Sequence, residues 1–351
     1  MSPQDDSLVP MNGARVTLRT VAEASGVHTS TVSRILNQQL GSSRHTAAPG
    51  TVQRVIAVAK ELGYTPNPHA KSLRTRRTKH IGVLVPTLSD MVLATIYEGI
   101  EDAAERLGYS TYVTNSLDDP ARRERQTEIM LARHPDAMIF GDADFYSDFL
   151  ERQAERGYPF CLVSRRANGF LSSTTNDVRG GQLAAEHLLE RGLTDVAILA
   201  GRPFASTSID RTAGFVDTFR AAGHPIPDRR IVNCPFDTVG GRIAMQGILE
   251  SGARPSAVFT TNDFSAIGAM GALREAGLIA GVDVGVVGYN DVPLAEALPM
   301  PLTTIYSPRH QMGVQAVELI VQLLDGGHPE SVFQEPELRV RESTLGVRAR
   351  V

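Results

Sequence analysis

The chain has 351 residues, of which 42% are hydrophobic and 21% charged, with two cysteines. That is the make-up of a globular protein long enough for two or three domains of about 100–150 residues each, and it excludes a largely disordered chain or a disulfide scaffold. No stretch reaches the ~18–20 continuous apolar residues of a membrane span, and Met1–Pro10 lacks the basic and apolar run of a secretory signal. The formal net charge of −4 conceals an asymmetry. Residues 1–80 carry 11 lysines and arginines against four acids, a formal +7; the remaining 271 carry 24 against 35, or −11. A basic head on an acidic body is the pattern expected when only the head meets a polyanion, although a solvated basic face gives the same count. Cys161 and Cys234 are far apart with no partner motif, so a reduced, cytoplasmic protein is expected.

In chain order, residues 1–14 read as a tail and 15–63 as an all-helical domain, with helices at Thr17–Ser25, Thr29–Asn37 and Thr51–Leu62. Residues 64–79 read as a linker containing one short helix, His69–Arg74. The window Leu18–Asn37 meets the constraints of a helix-turn-helix. Ala22 is small enough for two helices to cross, Gly26 suits the unusual backbone of the turn, and Val21, Val27, Val32 and Ile35 can face inward. The second helix then exposes hydroxyls and a guanidinium from Thr29, Ser30, Ser33 and Arg34, groups suited to base edges and phosphates in a major groove. An ordinary three-helix bundle is the alternative.

From Ile81 onward, apolar strands alternate with amphipathic helices. Strands are expected at Ile81–Val85, Thr111–Thr114, Ala137–Phe140, Phe160–Val163, Val196–Ala200, Ala257–Thr260 and Val284–Gly288. Helices are expected at Val92–Leu107, Ala121–Ala132, Phe145–Arg156, Gly181–Arg191, Arg211–Ala222, Gly241–Glu250 and Phe264–Ala276. Gly108, Gly157, Gly192, Gly223 and Gly277 sit just past helix ends, where left-handed caps are needed. The fold class is therefore a small all-α head plus an α/β body of parallel sheets covered on both faces, too long for one sheet and so divided between two similar subdomains.

Ligands of open parallel sheets bind beyond the carboxyl ends of the strands. The residues there are polar: Ser89-Asp90, Asp142, Ser164-Arg165, Asn176-Asp177, Arg211, Phe236, Asn262-Asp263 and Asn290-Asp291. Carboxylates, amides, an arginine and an aromatic ring suit a polyhydroxylated ligand such as a sugar. Asp90 and Asp263 could equally be helix N-caps. No phosphate loop, dinucleotide fingerprint, nucleophile elbow or metal-spaced Cys/His set is present, so neither enzyme activity nor a cofactor is expected; a two-domain α/β enzyme is the remote alternative. His187 falls within a helical pattern and reads as structural.

Val16–Asn37, Glu61-Leu62-Gly63-Tyr64-Thr65-Pro66-Asn67 and Ala70-Lys71-Ser72-Leu73 resemble the head of the LacI/GalR family of bacterial transcriptional regulators. The resemblance runs on through Ile81–Val85, Gly180-Gly181, His187-Leu188, Arg211 with Gly214-Phe215, Gly288–Asp291, Pro301–Ile305 and Arg341-Glu342-Ser343-Thr344. It implies base reading by Thr29, Ser30 and Arg34, and phosphate contacts from Thr17, Ser33 and Asn37. In the hinge it implies a backbone contact at Asn67, close approach at Ala70 and a wedging Leu73, beside which the charge of Lys71 can neutralise a flanking phosphate. It further implies a periplasmic-binding-protein-like body (80–351), with one subdomain of about 80–172 and 306–328 and another of about 173–305 and 329–351. The implied partners are a pseudo-palindromic operator in double-stranded DNA, a second copy of the chain, and a small effector in the cleft.

The resemblance places effector contacts at Thr207, Arg211, Phe236 and Asn290, beside the strand-end candidates Asp90, Ser164, Arg165, Asn262 and Asp263. Three departures stand out. The connection Gln38–Gly50 is longer than usual, Val92 and Leu93 replace an aromatic pair, and Asn290 replaces an aspartate. The last two favour a neutral carbohydrate or glycoside; a nucleoside or purine, or a protein co-regulator, is the alternative. A homodimer is expected, since the seven residues after Thr344 are too few for a tetramerising coiled coil, and no membrane partner is expected.

Overall fold

The computed structural model describes residues 16–38, 47–65 and 77–346. The chain divides into two units, a head through Thr78 and a body from Lys79.

The head consists of three helices: α1 (Leu18–Ser25), α2 (Thr29–Gln38) and α3 (Pro49–Glu61). Val21, Ala22, Val32, Ile35, Val52, Val55 and Ala59 form its core, with Val27 only partly covered. Gly26 ends α1 at φ 65°, in the left-handed region that a side chain resists. α3 begins two residues earlier than its apolar pattern suggests, because Pro49 with its fixed φ fits the first helical turn. Arg54 donates from Nε to the Ser25 carbonyl at 3.1 Å, satisfying one of the open carbonyls at the end of α1.

The body contains twelve strands among the described residues: β1 (His80–Val85), β2 (Ser110–Asn115), β3 (Ala137–Phe140), β4 (Phe160–Val163), β5 (Ser172–Thr175), β6 (Val196–Leu199), β7 (Ile231–Val232), β8 (Ala257–Thr260), β9 (Gly285–Asn290), β10 (Thr303–Tyr306), β11 (Val332–Gln334) and β12 (Glu337–Arg339). They form two six-stranded sheets, in the orders β11-β5-β4-β3-β1-β2 and β12-β10-β9-β8-β6-β7. Every pairing is parallel except β10 with β12. The central strands are buried on both faces, as helices on either side require.

The subdomain boundaries expected at 172/173 and 328/329 shift. β5 and β11 pair with each other in the first sheet, so the chain crosses between lobes after Thr175, after Tyr306 and after Gln334. The helix Arg309–Leu324, absent from the sequence reading, packs against Met91–Arg106 in the first lobe. Three helix pairs interlock through reciprocal glycines. A Cβ on Gly99 or Gly313 would lie 2.0 Å from a carbonyl oxygen of the facing helix, His310 or Ile96 respectively. Gly181 with Gly214, and Gly241 with Gly268, meet their facing backbones at 2.1–2.2 Å in the same way. Gly180 leaves room for Tyr289, whose hydroxyl would otherwise lie 2.0 Å from the added carbon.

Candidate functional site

In the head, Thr17 and Thr20 form a reciprocal cap: the Thr20 amide donates to the Thr17 hydroxyl and the Thr17 amide to the Thr20 hydroxyl, both at 3.3 Å. Val32 and Ile35 turn into the core, which leaves Ser30, Ser33 and Arg34 on the opposite face at i, i+3 and i+4 spacing. Ser30 and Arg34 are exposed; Thr29 and Ser33 are half-buried. Asn37 sits in the last turn of α2, but its side chain is outside the described residues, as are Asn67, Ala70, Lys71 and Leu73 entirely.

In the body, the carboxyl ends of both sheets open onto a cavity of about 380 Å³. Of the expected ligand positions, Asp90, Ser164 and Arg165 line it from the first lobe, and Thr207, Arg211, Phe236, Asn262 and Asn290 from the second. Asp90 is also an N-cap, accepting from the Val92 amide at 2.9 Å, and burial pushes its carboxyl above the usual range. Asn262 caps the following helix through the Ser265 amide at 2.7 Å.

Five of the strand-end positions do not line the cavity: Asp142, Asn176, Asp177, Asp263 and Asp291. Asp263 is fully buried and accepts from the Val292 amide at 2.8 Å and the Thr304 hydroxyl at 2.5 Å, so it braces the loop after β9. Burial raises its carboxyl to about 7, against these two hydrogen bonds. Asp142 is likewise turned inward, where it accepts from Arg123 Nε at 2.8 Å.

The Asp263 shift has a sign that can be measured. Between about pH 4 and pH 7 the folded protein keeps a proton that the unfolded chain has released, so folding takes up a proton and stability falls as pH rises. Wild-type stability, measured relative to Asp263→Asn by denaturant titration, should decline across that window. A constant difference would overturn the assignment.

The remaining geometry is set by arginines. Arg165 forks onto Asp118 at 2.6 and 3.0 Å, with its guanidinium carbon 5.7 Å from the Phe204 ring and 5.9 Å from Phe236. Arg202, from the other lobe, approaches the same carboxylate at 3.9 Å. Arg166 pairs bidentately with Asp210 at 2.8 and 2.6 Å, so the lobes are also joined across the cleft. Arg211 is buried on the Tyr289 ring, 3.7 Å from its centroid. It donates from Nε to Asp177 at 2.8 Å and from Nη1 to the Thr261 carbonyl at 2.7 Å.

Asn290 and Asp291 adopt left-handed φ values of 104° and 53°. Arg309 donates to both carbonyls, and Arg341 holds the Asp291 carboxylate at 2.7 Å, so the strained loop is fixed from two sides. Asn290 is 4% exposed, and its amide oxygen has no hydrogen-bond partner among the described residues.

The Arg341–Thr344 motif is structural on these observations. Ser343 donates to the Val286 carbonyl at 2.6 Å, and Thr344 meets His187 Nε2 at 2.8 Å. His187 is buried against that hydroxyl and lies outside the cavity lining, and burial lowers its affinity for a proton. Val92 and Leu93 line the cavity, and its aromatic surface comes instead from Phe236 and Phe264 of the second lobe. Asp118 and Arg202, absent from the sequence reading, lie in the turns after β2 and β6, the same strand-end location that marks the other candidates. Among the described residues, no group of His, Cys, Asp and Glu is placed to hold a metal, and no helix is long and apolar enough to cross a membrane.

Comparison with known proteins gives a consistent result. Residues 17–67 match the model for bacterial regulatory proteins, lacI family, and residues 185–344 match that for a periplasmic binding protein-like domain. The HTH-type transcriptional repressor PurR of Histophilus somni (strain 129Pt) is 30% identical over 93% of this chain and 98% of its own length. The ribose operon repressor of Escherichia coli (strain K12) is 31% identical over 87% of this chain and 92% of its own. The lac repressor dimer bound to operator and the anti-inducer ONPF superimposes with a TM-score of 0.83 at 27% identity, covering 95% of this chain and 100% of that one. A complex of the transcriptional regulator CelR with cellobiose gives 0.72 at 27% identity, covering 94% and 100%.

Proposed function

The chain belongs to the lacI family of bacterial regulatory proteins, DNA-binding transcriptional regulators with an effector-binding body, and from that premise we propose that its effector is a small neutral carbohydrate held in the cleft between the lobes. The observation that supports this is the polar lining of the cavity, where the Asp90 carboxyl and the Asn290 amide line the same space as the Phe236 ring. An amide in place of a carboxylate there favours a neutral ligand, and the carboxyl of Asp90 supplies a further hydroxyl acceptor. Occupancy changes operator affinity through a coupling free energy, typically about 1–3 kcal/mol. The protein acts as a cytoplasmic homodimer on a pseudo-palindromic operator, with no catalytic step.

A thermal-shift screen of sugars, glycosides and nucleosides tests the proposal, since a ligand at 100 times its Kd adds about 2.7 kcal/mol of stability. A neutral sugar should raise the melting temperature of the wild type and leave Asn290→Leu unmoved. Stabilisation by anionic compounds alone would overturn the reading. A nucleobase effector is the second reading, favoured by the Phe236 and Phe264 side chains on one wall of the cavity, where a planar base could stack. Stabilisation by purines and not by sugars would establish it.

For the head, Thr29, Ser30 and Arg34 are proposed to read bases, and Thr17, Ser33 and Asn37 to hold phosphates. Arg34→Ala should cost about 1–3 kcal/mol of operator affinity and relax the preference at one base pair per half-site. A uniform loss across all sequences, seen in a binding-site selection, would reassign Arg34 to the phosphates.

A further inference from the structure

His28 stands immediately before α2 and supplies its N-cap. The Ser30 amide donates to His28 Nδ1 at 3.2 Å, and the Ser30 hydroxyl lies 2.8 Å from the same nitrogen. The amide contact fixes the chemistry. A backbone N–H can only donate, so Nδ1 presents its lone pair and the ring proton is on Nε2. With Nδ1 bare, the hydroxyl contact must also run from serine to imidazole. Ser30 has one hydroxyl proton, and here it is already used. Its oxygen can therefore only accept from anything beyond the helix.

We propose that His28 sets the hydrogen-bond polarity of Ser30, so that Ser30 reads an amino base (adenine or cytosine) in the operator's major groove and discriminates against a keto base (guanine or thymine). In the major groove, adenine N6 and cytosine N4 donate, whereas guanine O6 and thymine O4 accept. A serine with a free rotor satisfies either kind of edge; one committed to His28 satisfies only the first. His28 is thus a positioning residue that acts through its neighbour, and Ser30 and His28 are both exposed on the head. The proposal rests on Ser30 facing base edges, as proposed for the head.

The test is binding-site selection from a randomised double-stranded library, using the full chain and its variants. The position at which Ser30→Ala flattens the base preference identifies the Ser30 contact. At that position the wild type should enrich adenine or cytosine over guanine or thymine by about 3- to 10-fold, the range of one net hydrogen bond. His28→Gly keeps a tolerated N-cap but removes the acceptor, and it should bring that ratio below about twofold while the rest of the operator is unchanged. His28→Asn restores a side-chain acceptor and should retain the preference. If His28→Gly fails to fold, His28→Ala gives the same reading.

Enrichment of keto bases at the Ser30 position, or an amino preference that survives His28→Gly, would overturn the proposal. If Ser30→Ala changes no position while Arg34→Ala does, Ser30 is no base reader. That outcome overturns this inference together with the Ser30 assignment and leaves the DNA-binding function standing.

Discussion

Arg211→Ala should lower the stability of the body by about 3–5 kcal/mol, because it strands the carboxylate of Asp177 in the interior. Both side chains of the pair are about 95% buried, and the Arg211 guanidinium also holds the Thr261 carbonyl and lies against the Tyr289 ring. For a domain of this size the loss corresponds to a fall in melting temperature of roughly 6–20 °C. The same variant should lose effector binding, since Arg211 lines the cavity. Asp177→Asn in the Arg211→Ala background removes the stranded charge and should recover part of the stability but none of the ligand response. The variants thereby separate the two roles. A single variant that melts within about 2 °C of the wild type would overturn this account.

Asp142→Ala should cost a similar ~3–5 kcal/mol for the mirror-image reason, since it leaves a guanidinium without its carboxylate. The side chains of Arg123 and Asp142 are 3% and 0% exposed, and Arg123 Nη2 also donates to the Asp142 carbonyl at 2.6 Å. Ligand affinity, measured by calorimetry at a temperature where the variant stays folded, should remain within about twofold of the wild type. A large loss of affinity would return Asp142 to the effector site, where its place after β3 suggests it belongs. The contrast between the two variants tests the assignment of the cavity, because only one of these buried pairs touches it.

Several features could be read locally. Gly108, Gly157, Gly192, Gly223 and Gly277 all adopt the left-handed φ expected just past a helix end. Gly26 does so in the turn of the head, and Ala22, Val21, Val32 and Ile35 are in its core. These positions are set by steric and apolar preferences that act within a few residues. β5 could not be read in that way. Ser172–Thr175 has no apolar residue, yet all four are buried, and its partners β4 and β11 come from Phe160–Val163 and Val332–Gln334. A strand of hydroxyl residues carries no periodic hydrophobic signal, so only the neighbouring strands define it.

The ligand candidates divide along the same line. Asp90, Asp142 and Asp263 each follow a strand and look equivalent in sequence. Only the packing turns Asp90 to the cavity and the other two inward, onto Arg123 and onto the loop braced by Thr304. By itself the sequence determined the family, the helix-turn-helix, the alternation of strands and helices, and the list of polar groups near the cleft, because short-range sterics and periodicity encode them. The tertiary structure decided which carboxylates face the cavity, which arginines are braces, and where the lobes divide. Those outcomes depend on partners distant in the chain, such as Arg341 on Asp291, 50 residues away, or Thr344 on His187, 157 residues away, which no local pattern records.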